Sequence, residues 1–222
     1  MLRDFFKDYK WSNDVPLIIG MGPTFDQAKK HNLSLYNVIG LNRVAGLIPV
    51  DISHIIDFYI VDKLGEKLLT QAKALVMPYY PHYACRPSQS LPLSLAAEGH
   101  PIVSQFAKEG RLYAYNLSTI MKRIGDSPVI KARYLSAEAA FNLCAHSGWK
   151  KIYSLGIDGG TTRSSTFSDH GPTDPRGFDT QWAGIAKTIK RFDIDYMPIG
   201  GNYGEIMEKI NAHQEETSVR HS

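Results

Sequence analysis

The segment Pro16–Thr24 limits the possible folds of this chain more than any other. Its apolar run, Leu17–Ile19, is interrupted by Gly20 and Gly22. A short continuous apolar run bounded by turn residues is typical of a strand that is buried on both faces of a parallel sheet. Glycines allow the backbone to turn sharply and to approach a ligand closely. The segment therefore predicts a strand, a glycine turn and a helix that begins near Phe25 and is capped by the preceding threonine.

This turn predicts a site for an anion. The first N–H groups of a helix point toward whatever lies over the turn, which is usually a nucleotide phosphate. The candidate nucleotide-binding residues of the turn are Gly20, Met21, Gly22 and Thr24. The alternative is a tight turn between strand and helix without a ligand, because a lone Gly-x-Gly motif has low specificity.

Strand-like and helix-like patterns alternate along the rest of the chain. The further predicted strands are Tyr36–Leu41, Phe58–Val61, Ala74–Met77, Leu112–Tyr115, Lys151–Leu155 and Asp195–Ile199. The predicted helices are Phe25–Lys30, Lys63–Gln71, Ser136–Ser147, Gln181–Lys190 and Gly204–Ala212. This alternation predicts an α/β fold that is Rossmann-like, with a mostly parallel sheet and helices on both faces. We expect one nucleotide-binding domain over residues 1–213 and a disordered tail over residues 214–222.

Two segments interrupt this alternation. Pro78–Pro101 contains five prolines and three tyrosines, which predicts an irregular excursion or a small lid. Its aromatic residues and His82 suit the acceptor side of a site, and the alternative is that they pack an irregular loop. Gly159–Asp179 is rich in Gly, Ser, Thr, Asp and Pro. A polar loop of about twenty residues is uncommon inside a compact domain and is usually functional or disordered.

Asn42 and Arg43 follow a predicted strand directly. The side chain of an asparagine has a paired donor and acceptor that can bind the edge of a base or a ribose. An arginine at this position can pair with a phosphate. The alternative is a loop asparagine beside a surface arginine.

Two later strand or helix boundaries offer further polar residues. Ser136 opens a predicted helix, where its hydroxyl caps the backbone or, with Arg133, holds a phosphate or ribose. Asp158 follows the strand Lys151–Leu155 and can accept hydrogen bonds from a sugar or a cytosine amine, bind a metal or act as a base. A structural Asp-Gly turn is the alternative for Asp158.

The composition excludes several classes of protein. A formal charge of +3 is too small for a nucleic-acid-binding stripe. No apolar run approaches the ~20 residues that cross a bilayer, and the N-terminal residues lack the apolar core of a signal peptide. Cys85 and Cys144 are far apart, which indicates a reducing cytoplasm rather than a disulfide framework. No metal cluster is evident, because four of the histidines are not spaced as metal ligands are: His82, His100, His146 and His170.

Three short motifs in this order resemble a known family. They are Ile18-Ile-Gly-Met-Gly-Pro-Thr24, Gly40-Leu-Asn-Arg43, and the segment from Arg133-Tyr-Leu-Ser-Ala-Glu to Ile152-Tyr-Ser-Leu-Gly-Ile-Asp158. The combination is similar to the bacterial sialyltransferases of glycosyltransferase family 42. It also resembles the wider group that contains the motility-associated (Maf) flagellin glycosyltransferases and the archaeal 6-hydroxymethylpterin diphosphokinases. The resemblance covers roughly residues 15–200.

The resemblance implies a metal-independent glycosyltransferase with a GT-A-like variant of the Rossmann fold. Its donor would be a nucleotide-activated sugar, with a cytidine monophosphate (CMP) sugar as the family's example, and its role would be bacterial surface glycan synthesis. In the sialyltransferases the glycine turn, the Asn, the helix-opening Ser and the Asp line one CMP site. The matching residues here are Gly20, Gly22, Thr24, Asn42, Ser136 and Asp158.

The sequence also departs from the family pattern. Met21 stands where the family usually has Asn, and Ala137 follows Ser136 where the family usually has Gly. The family places a catalytic His in the loop after the Asp-bearing strand, which makes His170 the expected general base, since an imidazole titrates near neutral pH. The alternative for His170 is an exposed loop histidine without a catalytic role. Arg176 aligns roughly with the family's His. Either Arg163 or Arg176 is the expected partner of the leaving phosphate.

Two other functions remain open at this point. One is an Mg²⁺-dependent diphosphotransferase of the pterin type, with Asp158 or Asp169 as a metal ligand. The other is a non-catalytic nucleotide-binding module. For the glycosyltransferase we expect no cofactor, a nucleotide-sugar donor and a glycan acceptor as partners, no nucleic acid and a cytoplasmic location. The sequence leaves a peripheral membrane contact and a homo-oligomer open.

Overall fold

The computed structural model describes residues 1–83, 86–119, 122–132, 136–167 and 178–219. The strands within these ranges are β1 (Arg3–Asp4), β2 (Pro16–Ile19), β3 (Asn37–Leu41), β4 (Val50–His54), β5 (Ala72–Pro78), β6 (His82–Tyr83), β7 (Arg86–Ser90), β8 (Leu112–Leu117), β9 (Val129–Ile130), β10 (Lys151–Leu155) and β11 (Asp195–Pro198). Nine of these strands pair in parallel with a neighbour, and β6 and β7 form an antiparallel hairpin.

The α-helices of the described ranges lie between these strands. They are α1 (Phe5–Asp8), α2 (Tyr59–Leu64), α3 (Glu66–Gln71), α4 (Leu93–Gly99), α5 (Pro101–Lys108), α6 (Ser136–His146), α7 (Trp182–Phe192) and α8 (Tyr203–Val219). Short 3-10 helices occur at Pro23–Lys30, Leu33–Leu35, Asn42–Gly46, Ser165–Phe167 and Asp179–Gln181. Parallel strands alternating with helices confirm the predicted α/β, Rossmann-like fold class. No helix among the described residues is both long and apolar enough to cross a membrane.

The chain divides into two compact units. The first unit comprises residues 1–12 and 37–131. Its parallel strands follow the order β1-β8-β5-β4-β3, and β9 pairs with β8 beyond the end of the β5 pairing. The central strands are buried, with every residue of β4 and β8 shielded from solvent. Because β4, β5 and β8 are parallel neighbours, their carboxyl ends lie side by side.

The second unit comprises residues 13–36 and 132–222. Its strands follow the order β2-β10-β11 and are all parallel, with Leu17 opposite Tyr153 in the register. Helix α6 is buried from Ala137 to Ala145 and packs against β2 and α7. A helix that is buried on all its faces must pack against neighbours on several sides. The carboxyl ends of β2, β10 and β11 are consequently neighbours.

One predicted strand is wrong. Phe58–Val61 is the beginning of helix α2, with Phe58 at the position before its first residue. A short apolar run does not distinguish a buried strand from a buried helix turn. Gly65 ends the helix with a φ of 53°, a left-handed conformation that glycine adopts readily.

Strand β4 is missing from the sequence prediction because polar residues interrupt its apolar pattern. Asp51, Ser53 and His54 are all buried in it. Asp51 and His54 have partners on other strands, and Nε2 of His54 lies 2.8 Å from the hydroxyl oxygen of Tyr115. The carboxylate of Asp51 accepts the Val38 N–H at 2.8 Å and pairs with Lys73 at 2.7 Å. A strand with such partners needs no apolar alternation.

The segment Pro78–Pro101, expected to be an irregular lid, contains regular elements. It includes the β6–β7 hairpin and helix α4, and Pro101 opens helix α5. Proline is favoured at the first position of a helix because its missing N–H has no intrahelical partner there. Residues 84 and 85 of this segment, including Cys85, lie outside the described residues.

Candidate functional site

The glycine turn after β2 lies directly against the end of β10. The N–H of Gly20 donates to the carbonyl of Leu155 at 2.8 Å, and the N–H of Gly22 donates to the carbonyl of Gly156 at 2.9 Å. These bonds extend the parallel pairing of the two strands past their carboxyl ends. They bring the two turns that the sequence assigns to a ligand into one place.

Glycine is required at position 22 because of space. A Cβ added there would lie 2.5 Å from Oδ2 of Asp158 and 2.9 Å from the carbonyl oxygen of Gly156. The backbone of Gly22 has a φ of −69°, which any residue adopts. The close approach of the Asp158 carboxylate and of the Gly156 backbone, rather than an unusual dihedral angle, therefore selects glycine.

Asp158 closes the beginning of the helix that follows this turn. Its Oδ2 accepts the Thr24 N–H at 2.8 Å, and its Oδ1 accepts the Thr24 hydroxyl at 2.6 Å. The Thr24 hydroxyl in turn accepts the N–H of Gly156 at 2.8 Å. A carboxylate that bonds a first-turn N–H stabilises a helix N-terminus. The side chain of Asp158 thus caps this helix.

The predicted capping role of Thr24 is wrong for this reason. The helix is a 3-10 helix that begins at Pro23, and Gly22 occupies the capping position without a side-chain bond. The Thr24 N–H, which the sequence assigns to an anionic ligand, is used by the carboxylate of Asp158. A phosphate at that donor would meet the negative charge of Asp158, so neutral polar groups fit this end of the helix better.

Asn202 joins the same cluster and is absent from the sequence prediction. Its Nδ2 donates to Oδ1 of Asp158 at 3.0 Å. Its Oδ1 is buried and has no hydrogen-bond donor among the residues that the structure describes. A buried amide oxygen without a donor is costly, so a ligand that donates a hydrogen bond there would be stabilised. The sequence signal is Gly200-Gly201-Asn202, which follows β11 as Asp158 follows β10.

Gly200 brings the third strand end into contact with Thr24. A Cβ at Gly200 would lie 2.5 Å from Cβ of Thr24 and 2.7 Å from its hydroxyl oxygen. The carbonyl of Gly200 also accepts a hydrogen bond from Nε2 of Gln27 at 2.7 Å. The ends of β2, β10 and β11 therefore meet at one threonine. We call Thr24, Asp158 and Asn202 the strand-end cluster.

The segment that follows the strand-end cluster is fixed to the 3-10 helix Pro23–Lys30. The N–H of Ser164 donates to the carbonyl of Met21 at 2.9 Å. The hydroxyls of Ser164 and Thr166 donate to Oδ1 of Asp26 at 2.5 and 2.8 Å. The Ser164 bond, followed by the Thr166 bond, lowers the pKa of Asp26 below its ordinary value. This segment is therefore bonded both to the glycine turn and to the helix that follows it.

The remaining predicted site residues have different locations. Ser136 is the first residue of α6 in the second unit and is half-buried. Asn42 and Arg43 belong to the first unit and begin the 3-10 helix Asn42–Gly46. Asn42 has a φ of 51°, a left-handed conformation that Asn tolerates better than most residues. The other three lie outside the described residues: Arg133, His170 and Arg176.

Comparison with known proteins finds similarity in structure but not in sequence. No protein-family model matches the chain, and no curated protein matches its sequence. The fold is similar to an X-ray structure of a mutant of the α-2,3/8-sialyltransferase CstII, with a TM-score of 0.48 and 11% sequence identity. The alignment covers 86% of this chain and 83% of that chain. Similarity at this level carries no functional argument.

Proposed function

We propose that this chain is a glycosyltransferase that uses a nucleotide-activated sugar, with a CMP-sugar as the donor. The observation that carries the proposal is the strand-end cluster. Three neighbouring parallel strands end in glycine-containing turns that pack around Thr24 and leave acceptor oxygens on Asp158 and Asn202. Ligands of parallel α/β sheets bind at the carboxyl ends of the strands.

The chemistry of the strand-end cluster favours a nucleoside over a bare phosphate. Asp158 carries a negative charge and already accepts three hydrogen bonds, of roughly four that a carboxylate can accept. The buried Oδ1 of Asn202 needs a donor. A cytosine amine or a ribose hydroxyl supplies such a donor without adding negative charge. We therefore assign the nucleoside part of the donor to this cluster.

The resemblance of the motifs to the sialyltransferases supports the same assignment, since Gly20, Gly22, Thr24 and Asp158 match residues of the family's CMP site. On that resemblance we assign Ser136 to the nucleotide site as well, and we include Met21 because it lies in the glycine turn between Gly20 and Gly22. We also assign Arg133 to the ribose or phosphate, because it precedes the helix-opening Ser136 in the sequence and carries a positive charge.

The transfer step needs a base and a group that stabilises the leaving phosphate. We assign these roles to His170 and Arg176. His170 would take the proton of an acceptor hydroxyl as its oxygen bonds to the anomeric carbon of the sugar. The bond from that carbon to the phosphate breaks, and Arg176 would balance the charge of the released CMP. This reaction needs no metal ion, and its acceptor would be a glycan of the bacterial surface.

Calorimetry with CMP tests the nucleotide assignment directly. We expect CMP to bind, and Asn202→Ala to weaken binding about tenfold, which corresponds to the loss of one buried hydrogen bond. Asn32→Ala is the matched control, because Asn32 is an exposed asparagine of the same unit. Equal CMP affinity in both variants would contradict the placement of the nucleoside at Asn202.

A second measurement separates the chemistry from the binding. CMP release from a CMP-sugar in the presence of a glycan acceptor should proceed with the chelator EDTA present. ATP with Mg²⁺ should neither bind nor be consumed. Binding of ATP and Mg²⁺ in place of CMP would favour the diphosphotransferase, and CMP binding without transfer to any acceptor would favour the non-catalytic module.

A further inference from the structure

A carboxylate, an imidazole and a hydroxyl form a chain of contacts in the first unit, and none of the three belongs to the residues assigned under the proposed function. Nδ1 of His82 lies 3.7 Å from Oδ1 of Asp57, and Nε2 of His82 lies 3.0 Å from the hydroxyl oxygen of Thr119. Each residue follows the carboxyl end of a different parallel strand, β4, β5 or β8, and these strands are neighbours. This is the edge at which α/β sheets place ligands.

The backbone fixes the first contact. Asp57 and His82 pair as a parallel bridge, in which the His82 N–H donates to the Ile56 carbonyl at 2.9 Å and the Phe58 N–H donates to the His82 carbonyl at 2.8 Å. Paired residues in such a bridge place their side chains next to each other. A register shift between His82 and Tyr83 lies at the same point of the β6–β7 hairpin, and bulges of this kind often re-aim a side chain.

The environment of His82 suits a proton acceptor. Its side chain is 11% exposed, and burial lowers its pKa below the ordinary value, so the imidazole is neutral at neutral pH. The 3.7 Å between Nδ1 and Oδ1 of Asp57 is longer than a hydrogen bond, but the negative charge there favours a proton on Nδ1. In that tautomer the lone pair of Nε2 accepts the Thr119 hydroxyl. Thr119 itself is exposed to solvent. A hydroxyl hydrogen-bonded to such a base and open to reagents is an activated nucleophile.

We propose that Thr119 is a nucleophile toward carboxylic esters, activated by His82 and oriented through Asp57. The Thr119 oxygen forms a bond to the ester carbonyl carbon while its proton passes to Nε2 of His82. The bond from that carbon to the alcohol oxygen then breaks, and the alcohol leaves with the proton from His82. Water, deprotonated by the same nitrogen, releases the acid and restores the Thr119 hydroxyl.

A metal site explains this arrangement less well. Among the residues that the structure describes, no group of three or more His, Cys, Asp or Glu side chains is arranged to hold a metal ion. Nε2 of His82 already contacts the hydroxyl of Thr119, and Nδ1 faces the carboxylate of Asp57.

Labelling with an alkyl fluorophosphonate tests the proposal on the intact chain. The probe should form a bond from phosphorus to the Thr119 oxygen with loss of fluoride, and peptide mapping by mass spectrometry should locate the adduct at Thr119. His82→Gln should reduce the rate of labelling at least about a hundredfold, since it removes the base and keeps a polar side chain of similar size. Asp57→Asn should reduce the rate less.

Two controls keep the result interpretable. His100→Gln changes another histidine of this unit that pairs with a carboxylate, Asp62 at 2.8 Å, and should leave the labelling rate unchanged. Thr119→Ser keeps a hydroxyl and should still be labelled, whereas Thr119→Val should not. An unlabelled Thr119 in the wild-type protein, or equal labelling of wild type and a folded His82→Gln, would overturn the proposal and leave the Thr119 hydroxyl as a structural partner of His82.

Discussion

The hydroxyl of Thr24 donates a 2.6 Å hydrogen bond to Oδ1 of Asp158, although 134 residues separate the two along the chain. The same hydroxyl accepts the N–H of Gly156 at 2.8 Å, so one side chain connects the ends of β2 and β10. Four features of the structure lead to specific predictions about stability.

Thr24→Val removes this hydroxyl and keeps the shape of the side chain. Oδ1 of Asp158 then loses one donor and the N–H of Gly156 loses its acceptor, which should lower the free energy of unfolding by about 1–3 kcal/mol. Thr24→Ser keeps the hydroxyl and should cost less. Urea unfolding of the three proteins measures the difference. Equal stability of the serine and valine variants would show that the hydroxyl contributes little.

Gly22→Ala places a methyl group against Asp158. The added Cβ would lie 2.5 Å from Oδ2 of Asp158, so either the carboxylate or the turn must move, at an expected cost of about 1–3 kcal/mol. Gly204→Ala is the matched control, because a Cβ there meets no atom within 4 Å. Thermal unfolding should show a lower melting temperature for Gly22→Ala alone.

His54 should make the stability of the fold depend on pH. Burial lowers its pKa from 6.5 to about 3, while its Nε2 lies 2.8 Å from the hydroxyl of Tyr115. Below pH 6.5 the unfolded chain binds a proton at this histidine and the folded chain does not. The free energy of unfolding should therefore fall by about 1.4 kcal/mol per pH unit as the pH decreases from 6.5 toward 3.

His54→Gln tests this pH dependence, since an amide can bond the Tyr115 hydroxyl and does not titrate. Urea unfolding at several pH values between 7 and 4 should give a shallower slope for this variant than for the wild type. His31→Gln, which changes a histidine nearer the surface, should keep the wild-type slope. A slope unchanged by His54→Gln would show that the buried ring does not govern acid sensitivity.

Thr188→Val should loosen the packing of α6 on α7. The Thr188 hydroxyl accepts a 2.8 Å hydrogen bond from Nδ2 of Asn142 and donates to the carbonyl of Gly184 at 2.9 Å. The side chains of Thr188 and Asn142 are both buried. Leaving the Asn142 amide incompletely hydrogen-bonded should therefore lower the free energy of unfolding by about 1–3 kcal/mol. Thr70→Val changes an exposed threonine whose hydroxyl donates to the carbonyl of Lys67 in the preceding turn, and it should change the stability by less than about 0.5 kcal/mol. Similar losses in both variants would argue against the interhelical bond.

The strands that could be predicted from the sequence are those whose buried residues are apolar. Lys151–Leu155 was predicted with the bounds that the structure gives, and Leu17–Ile19 lies within β2. Val50–His54 was not predicted, because buried Asp51 and His54 depend on partners from other strands. Such partners are distant in sequence and leave no periodic signal.

The residues of the candidate site were also predicted from the sequence only in part. Its glycine turn and Asp158 are visible as strand ends that carry small and polar residues. Asn202 follows the same pattern but lies after a short strand in which exposed residues alternate with buried ones, so its role was missed. The contact of His82 with Asp57 arises from a bridge outside any regular strand, which no local pattern indicates.

The order of apolar runs, glycines and helical periodicities along this chain was sufficient to determine the α/β class with parallel strands. These signals are local, because each strand or helix buries at least one face and the spacing of its own apolar residues records which face that is. The tertiary structure alone decided the contacts within the sites. It determined which groups bind Asp158, that Oδ1 of Asn202 lacks a donor among the described residues, and that His82 contacts Thr119. Hydrogen bonds between side chains act over about 3 Å, and only the folded backbone brings residues far apart in sequence within that distance.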